Sequence, residues 1–153
     1  MLASDCTEFK TWMKLDNMAN LFPAIELFSA APIYRVSIAL DREIDKDILN
    51  RAAQETLKRF PYFKVRLKKG IFWSYLEYNK KNPVVMPDGI HPCVGINYNE
   101  NNYYLFKIKY IENIIALEIF HALTGGGGAM VLLKTLAAQY LRLCGENIES
   151  NKE

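Results

Sequence analysis

Hydrophobic and polar residues alternate singly from Ile33 to Leu40, with Ile33, Arg35, Ser37 and Ala39 set against Tyr34, Val36, Ile38 and Leu40. A period of two marks a strand, and Pro32 sets its start. The period then changes. Ile48, Leu49, Ala52, Ala53 and Leu57 recur at three- and four-residue steps behind Asp45, a residue type that caps helices. That spacing predicts an amphipathic helix ending near Arg59, ahead of Pro61. Alternation returns from Tyr62 to Lys69, with Phe63, Val65 and Leu67 on one face and Lys64, Arg66 and Lys68 on the other. Gly70 and the run Ile71 to Tyr78 complete a hairpin. Residues 79 to 92 hold Asn82-Pro83, Pro87-Asp88-Gly89 and His91-Pro92 and read as an irregular connection. Two further strands, Tyr103 to Tyr110 and Ile114 to Phe120, close around Glu112-Asn113. The last helix, Ala129 to Leu143, is apolar nearly all round, which predicts burial on more than one side. Met1 to Leu21 shows no sustained period and reads as an extended arm with at most one turn of helix, and the polar residues 146 to 153 are expected to fray. Together these elements predict an α/β fold, a two-layer sandwich in which two long helices cover one face of a mixed, mostly antiparallel sheet.

A chain of 153 residues, half of them hydrophobic and 12% aromatic, suits one globular domain. At this size roughly 68–70% of the unfolded surface is buried on folding. The net charge of +2 comes from interspersed basic and acidic residues, so no long-range field points to nucleic acid or an anionic membrane, and neither is expected as a partner. Cys6, Cys93 and Cys144 are odd in number and far apart, which argues for free thiols in a reducing compartment. The N-terminus, with Asp5 and Glu8, lacks the pattern of a signal peptide, and the longest uncharged run, Ile119 to Leu133, is too short for a membrane span and holds four glycines. A cytoplasmic location follows as the expectation.

The chemistry concentrates where the most strand-like run meets the last helix. Ala116 to Ala129 carries His121 at the strand end, followed by Gly125, Gly126, Gly127 and Gly128. Four glycines in a row let the chain turn sharply and approach another group closely at 125 to 128. The residues alone leave two readings of His121. A neutral imidazole facing a cleft serves as a general base, and an imidazole can equally cap the turn through its ring nitrogens. A phosphate loop would need Gly-Lys-Ser/Thr after the glycines, whereas Gly128 precedes Ala129-Met130; Met130 also stands where a dinucleotide motif needs its third glycine. Only His91 and Cys93 lie close together among metal-ligating types, so no metal site is expected. Lys64, Arg66, Lys68 and Lys69 read as the solvated face of a strand, and Trp12, Trp73, Tyr103 and Tyr104 as core or interface.

His121-Ala-Leu-Thr-Gly-Gly126 resembles the His-x-x-x-Asp-Gly signature of the coenzyme A-dependent acyltransferase superfamily, which includes chloramphenicol acetyltransferase, the condensation domains of peptide synthetases and the alcohol acetyltransferases. His121 and Gly126 match, and Gly125 stands where the family has Asp. Leu57-Lys-Arg-Phe-Pro-Tyr-Phe-Lys-Val-Arg-Leu67 is similar to a helix-to-strand passage of the alcohol acetyltransferase-like members, and Leu15-Asp-Asn17 to their N-terminal approach. The resemblance runs from about Leu15 to Leu143 and covers the first half of such an enzyme. It implies that residues 1–145 form one N-terminal lobe with 146–153 as a tail, the second lobe being absent from this chain. It also implies that His121 is the catalytic base and that Gly125 and Gly126 shape its loop. An acyl group would pass from coenzyme A, a thioester co-substrate that is not covalently bound, to a small alcohol or amine acceptor. The family's Asp holds the loop through an ion pair, which Gly125 cannot make. The resemblance names no substrate-binding residue. A lobe built to meet a second one is expected to pair with it or with itself and to transfer little alone; a non-catalytic single-lobe protein that binds or assembles is the alternative.

Overall fold

The computed structural model describes residues 12–14, 33–69, 74–97, 99–121 and 123–148. Asp45 opens helix α1 (Lys46–Arg59), its carboxylate accepting the backbone N–H groups of Asp47 at 2.8 Å and Ile48 at 2.9 Å. A short polar side chain thereby satisfies donors that the first helical turn leaves free. The apolar stripe of α1 buries Leu49, Ala52, Ala53 and Leu57, and the chain leaves the helix at Phe60 into a 3-10 turn, Pro61–Phe63. Proline lacks the N–H that another helical turn would need.

The described residues form seven strands: β1 (Trp12–Lys14), β2 (Ile33–Ala39), β3 (Val65–Lys69), β4 (Ser74–Tyr78), β5 (Val85–Pro87), β6 (Phe106–Ile111) and β7 (Ile114–Phe120). They form two sheets, one of order β2-β7-β6-β5 and one of order β1-β4-β3. The larger sheet is mixed: β5 runs parallel to β6, and its other pairs are antiparallel. Helix α2 (Gly126–Leu143) lies on β2 and β7, and α1 packs beside it. Ile115, Leu117 and Ile119 of β7 and Leu132, Leu133 and Leu136 of α2 belong to the core between these layers. Tyr140 of α2 ties the two helices together, its hydroxyl accepting the backbone N–H of Asp45, the N-cap of α1, at 2.9 Å. The two-layer α/β sandwich is the one expected, with helices of 18 and 14 residues.

Four local expectations change. The hairpin β3–β4 does not extend the main sheet but pairs with β1, and its Val65, Leu67 and Leu76 pack in a second small core with Ile96, Leu105 and Phe120. The connection 79–92 contains β5, because Val85 and Met86 find an open sheet edge at β6 that only the folded chain supplies. Helix α2 starts three residues early, at Gly126; it is buried on more than one side, as expected, against the sheet and against α1, while Met130 and Val131 are exposed. Residues 146–148, the described part of the tail expected to fray, are tied back to α2: Gly145 at φ 96° ends the helix with the N–H of Glu146 on the carbonyl of Leu141, and Arg142 donates to the carbonyl of Ile148 at 3.2 Å, while 149–153 lie outside the described residues. The expected arm at 1–21, the turn at Gly70 and Trp73 fall wholly or largely outside the described residues.

Candidate functional site at the end of strand β7

Strand β7 delivers His121. Its odd-numbered residues 115, 117 and 119 enter the core under the helices, and the strand ends in a turn closed by the N–H of Leu123 on the carbonyl of Phe120 at 2.9 Å. His121 lies in that turn and is exposed. Among the described residues its imidazole makes no hydrogen bond; its contact is with the ring of Tyr34, edge to face at 5.2 Å between centroids and 61° between planes. Tyr34 stands on β2 opposite Ile119 of β7, so the ladder that aligns the two strands also brings the phenol to the strand end. Its hydroxyl donates to the carbonyl of Thr124 at 2.9 Å, and its burial raises the phenol above its ordinary range.

The glycines are not the sharp turn that their number suggested. Gly125 is the N-cap of α2 at φ −80° and ψ 175°, an extended conformation open to any residue, and Gly126 to Gly128 form the first helical turn. Among the described glycines only Gly145 has a positive φ. No side chain caps the helix, and a Cβ built on Gly125, Gly126 or Gly127 would meet nothing within 4 Å. Gly128 alone permits a close approach: a Cβ there would fall 2.1 Å from Oγ1 of Thr124. The uncapped first turn leaves backbone N–H groups free next to the turn that carries the imidazole.

The sheet face turned away from the helices carries a set of charges. Glu118, fully buried on β7, stands opposite Arg35 of β2 and Lys107 of β6. Its oxygens accept from Arg35 at 3.2 Å and from Lys107 at 3.4 Å, and Lys109 approaches at 3.4 Å. Burial alone would raise the Glu118 carboxyl, but the N–H of Cys93 and the charges of Lys109 and Lys107 outweigh it and hold the group below its usual range. Asp88, beyond β5, forms a two-pronged ion pair with Arg35 and is pushed down to about 2 chiefly by that guanidinium.

The structure brings His121, Gly125 and Gly126 to one junction, as their spacing required. Among the described residues no three His, Cys, Asp or Glu side chains gather as metal ligands. No helix of the described residues is long and apolar enough to cross a membrane. Cys93 and Cys144 are free, while Cys6 lies outside the described residues. Arg66 pairs with Glu77 and Lys64 lies over Tyr78, so that strand face is half-covered rather than solvated. Tyr104 is core and Tyr103 is exposed. Sequence reasoning missed Tyr34, whose only signal is its place on the apolar face of β2, and missed Glu118, a carboxylate in an otherwise apolar strand three residues before His121.

No family pattern matches the chain and no curated protein matches it in sequence. Solved structures do share its fold. The starter condensation domain of rhizomide synthetase superposes with a TM-score of 0.70 at 10% identity over 94% of this chain and 40% of that one. The epimerization domain from the third module of tyrocidine synthetase B gives 0.64 at 11% identity over 94% and 38%. Polyketide synthase associated protein 5 from Mycobacterium tuberculosis gives 0.52 at 17% identity over 78% and 31%. The chain therefore has the fold of one part of a condensation domain, and it spans about two fifths of the length of the first two of these structures.

Proposed function

We propose that this chain is the N-terminal lobe of an acyltransferase of the chloramphenicol acetyltransferase and condensation-domain type, with His121 as general base. The observation that carries this reading is the position of His121, exposed at the end of β7 and directly ahead of α2, in a fold shared with a condensation domain over 94% of the chain. An alcohol or amine acceptor attacks the carbonyl of a thioester, coenzyme A being the simplest donor. The neutral imidazole takes the acceptor's proton as the new C–O or C–N bond forms. The C–S bond then breaks, and the departing thiolate recovers the proton from the imidazolium. Such help is worth about 10²–10⁴-fold in rate. The alcohol acetyltransferase-like passage Leu57 to Leu67 supports an alcohol as acceptor. Acceptor and thioester would meet His121 against a second lobe or a second copy of this chain.

A thiol-release assay with acetyl-coenzyme A and simple alcohols and amines tests the reading in the native protein that carries this sequence. His121→Ala should lower acceptor-dependent release by about 10²–10⁴-fold. Release that survives the substitution would remove His121 from the reaction. The 153-residue chain alone should turn over little, because positioning two substrates contributes roughly 7–11 kcal/mol and needs walls on both sides.

Two observations favour a second reading, a single-lobe protein that keeps the fold for binding or assembly. Gly125 has no side chain with which to hold the loop, and among the described residues the imidazole has no polar partner. Native protein that releases no thiol from any acyl donor, yet binds a partner through this lobe, would establish that reading instead.

A further inference from the structure

The turn between β7 and α2 has no side chain of its own at position 125, yet it is held from two sides. Tyr34 reaches it from β2, ninety positions away along the chain, and its hydroxyl donates to the carbonyl of Thr124 at 2.9 Å. The same phenol ring meets the His121 ring at 5.2 Å. From the other side, the missing Cβ of Gly128 gives Thr124 room to lie against the first turn of α2, where a methyl would stand 2.1 Å from its hydroxyl oxygen. A phenylalanine at 34 would fill nearly the same volume. The hydroxyl therefore adds something packing does not, a directional bond to the backbone of the segment that aims the imidazole.

We propose that Tyr34 is the positioning residue for His121, its hydroxyl fixing the turn through the Thr124 carbonyl and its ring supporting the imidazole edge, in place of an orienting side chain at position 125. The inference rests on His121 acting as the base. Tyr34 touches no reacting atom; it narrows the directions in which the imidazole points. A displacement of about 1 Å in such a group can cost on the order of 10²-fold in rate.

The chain has two histidines, His91 and His121, so the imidazole signals of one serve as an internal control for the other in a nitrogen–proton correlation spectrum. Tyr34→Phe keeps the ring and removes the hydroxyl; Tyr34→Leu removes both. In the parent, His121 should show cross-peaks to the Tyr34 ring. In Tyr34→Phe the His121 signals should broaden and move toward those of free histidine while His91 stays in place. Tyr34→Leu should abolish the ring cross-peaks, and if that variant does not fold the phenylalanine variant still decides. Superimposable His121 signals in parent and Tyr34→Phe, with cross-peaks to ring 34 retained, would overturn the proposal, as would equal movement of His91, which would mark general loosening. In native protein with measurable transfer, Tyr34→Phe should lower kcat about tenfold with KM unchanged, as loss of one hydrogen bond in the productive geometry predicts. An unchanged kcat would also overturn it. Absence of transfer in the parent itself would count against the acyltransferase reading and leave the spectroscopic result to decide on Tyr34.

Discussion

Glu118 and Cys93 are joined by a hydrogen bond in which the backbone N–H of the loop residue donates to Oε1 of the buried strand carboxylate at 2.9 Å. Lys107, directly opposite Glu118 in the β6–β7 ladder, repeats the arrangement with the charges reversed, its ammonium donating to the carbonyl of Val94 at 2.6 Å. The loop beyond β5 is thus fastened over the sheet by charges that it also shields from water. Cys93 adopts φ 59°, a left-handed conformation that these bonds help to retain.

Removing the central carboxylate should therefore be costly. Glu118→Ala leaves Arg35, Lys107 and Lys109 facing one another across the sheet and frees the N–H of Cys93, and loss of one partner from a buried ionic set typically costs about 3–5 kcal/mol. Glu118→Gln keeps an acceptor for Cys93 and should lose less, about 1–3 kcal/mol. Urea midpoints for the two variants check the order. A parent-like midpoint for Glu118→Ala would mean that the loop does not depend on this carboxylate.

The same charges set a pH dependence. The Arg35 guanidinium pushes the Asp88 carboxyl down to about 2 from an ordinary value of 3.8. A group depressed in the folded state contributes stability above its unfolded value, and that stability is lost as pH falls through the folded value. Stability should thus decline between about pH 4 and pH 2. Asp88→Asn should lower stability at neutral pH and flatten that decline. Parallel stability curves for parent and variant across this interval would contradict the assignment.

Much of the framework was legible because its signals are local. The alternation at Ile33 to Leu40, the Asp45 cap with its stripe to Leu57, and the hairpin around Glu112-Asn113 each lie within a few residues and survive folding with small boundary changes. The junction that presents His121 was legible for the same reason. What was not legible depends on residues brought from afar. Strand β5 exists because β6 offers an edge, and Lys107 and Lys109 are buried because Glu118 and the loop beyond β5 come to meet them. Tyr34 meets its hydrogen-bond partner only in a turn ninety positions downstream. The glycine run misled because glycine permits a sharp turn without requiring one, and here all four lie in extended or helical backbone.

That distinction between permission and requirement separates the glycines experimentally. Gly127 lies in the first turn of α2 with open space where a Cβ would go, so Gly127→Ala should stabilise the fold by about 0.4–1 kcal/mol through reduced freedom of the unfolded chain. Gly128→Ala should forfeit that gain, because the new methyl would stand 2.1 Å from the Thr124 hydroxyl and force that side chain to turn away. Thermal unfolding of the two variants side by side measures the difference. Equal midpoints would show that Thr124 yields without cost.

Gly125 offers the most direct comparison with the His-x-x-x-Asp-Gly pattern, since it occupies the position of the pattern's Asp and is also the N-cap of α2 without a capping side chain. Its φ of −80° is available to any residue, and a Cβ at this position would meet nothing within 4 Å, so an aspartate enters without strain. Three effects then act in one direction. The unfolded chain loses freedom, worth about 0.4–1 kcal/mol. The carboxylate accepts an N–H of the first helical turn, worth a few tenths of a kcal/mol beyond glycine at a cap. It also meets the positive end of the helix dipole, worth about 0.3–1 kcal/mol. Gly125→Asp should therefore raise the denaturant midpoint, and Gly125→Asn, which caps without the charge, should raise it less. Added salt should narrow the gap between the two, because only the dipole contribution is screened. An Asp variant less stable than the parent would mean that the turn carrying His121 resists the arrangement that the rest of the fold shares with condensation domains.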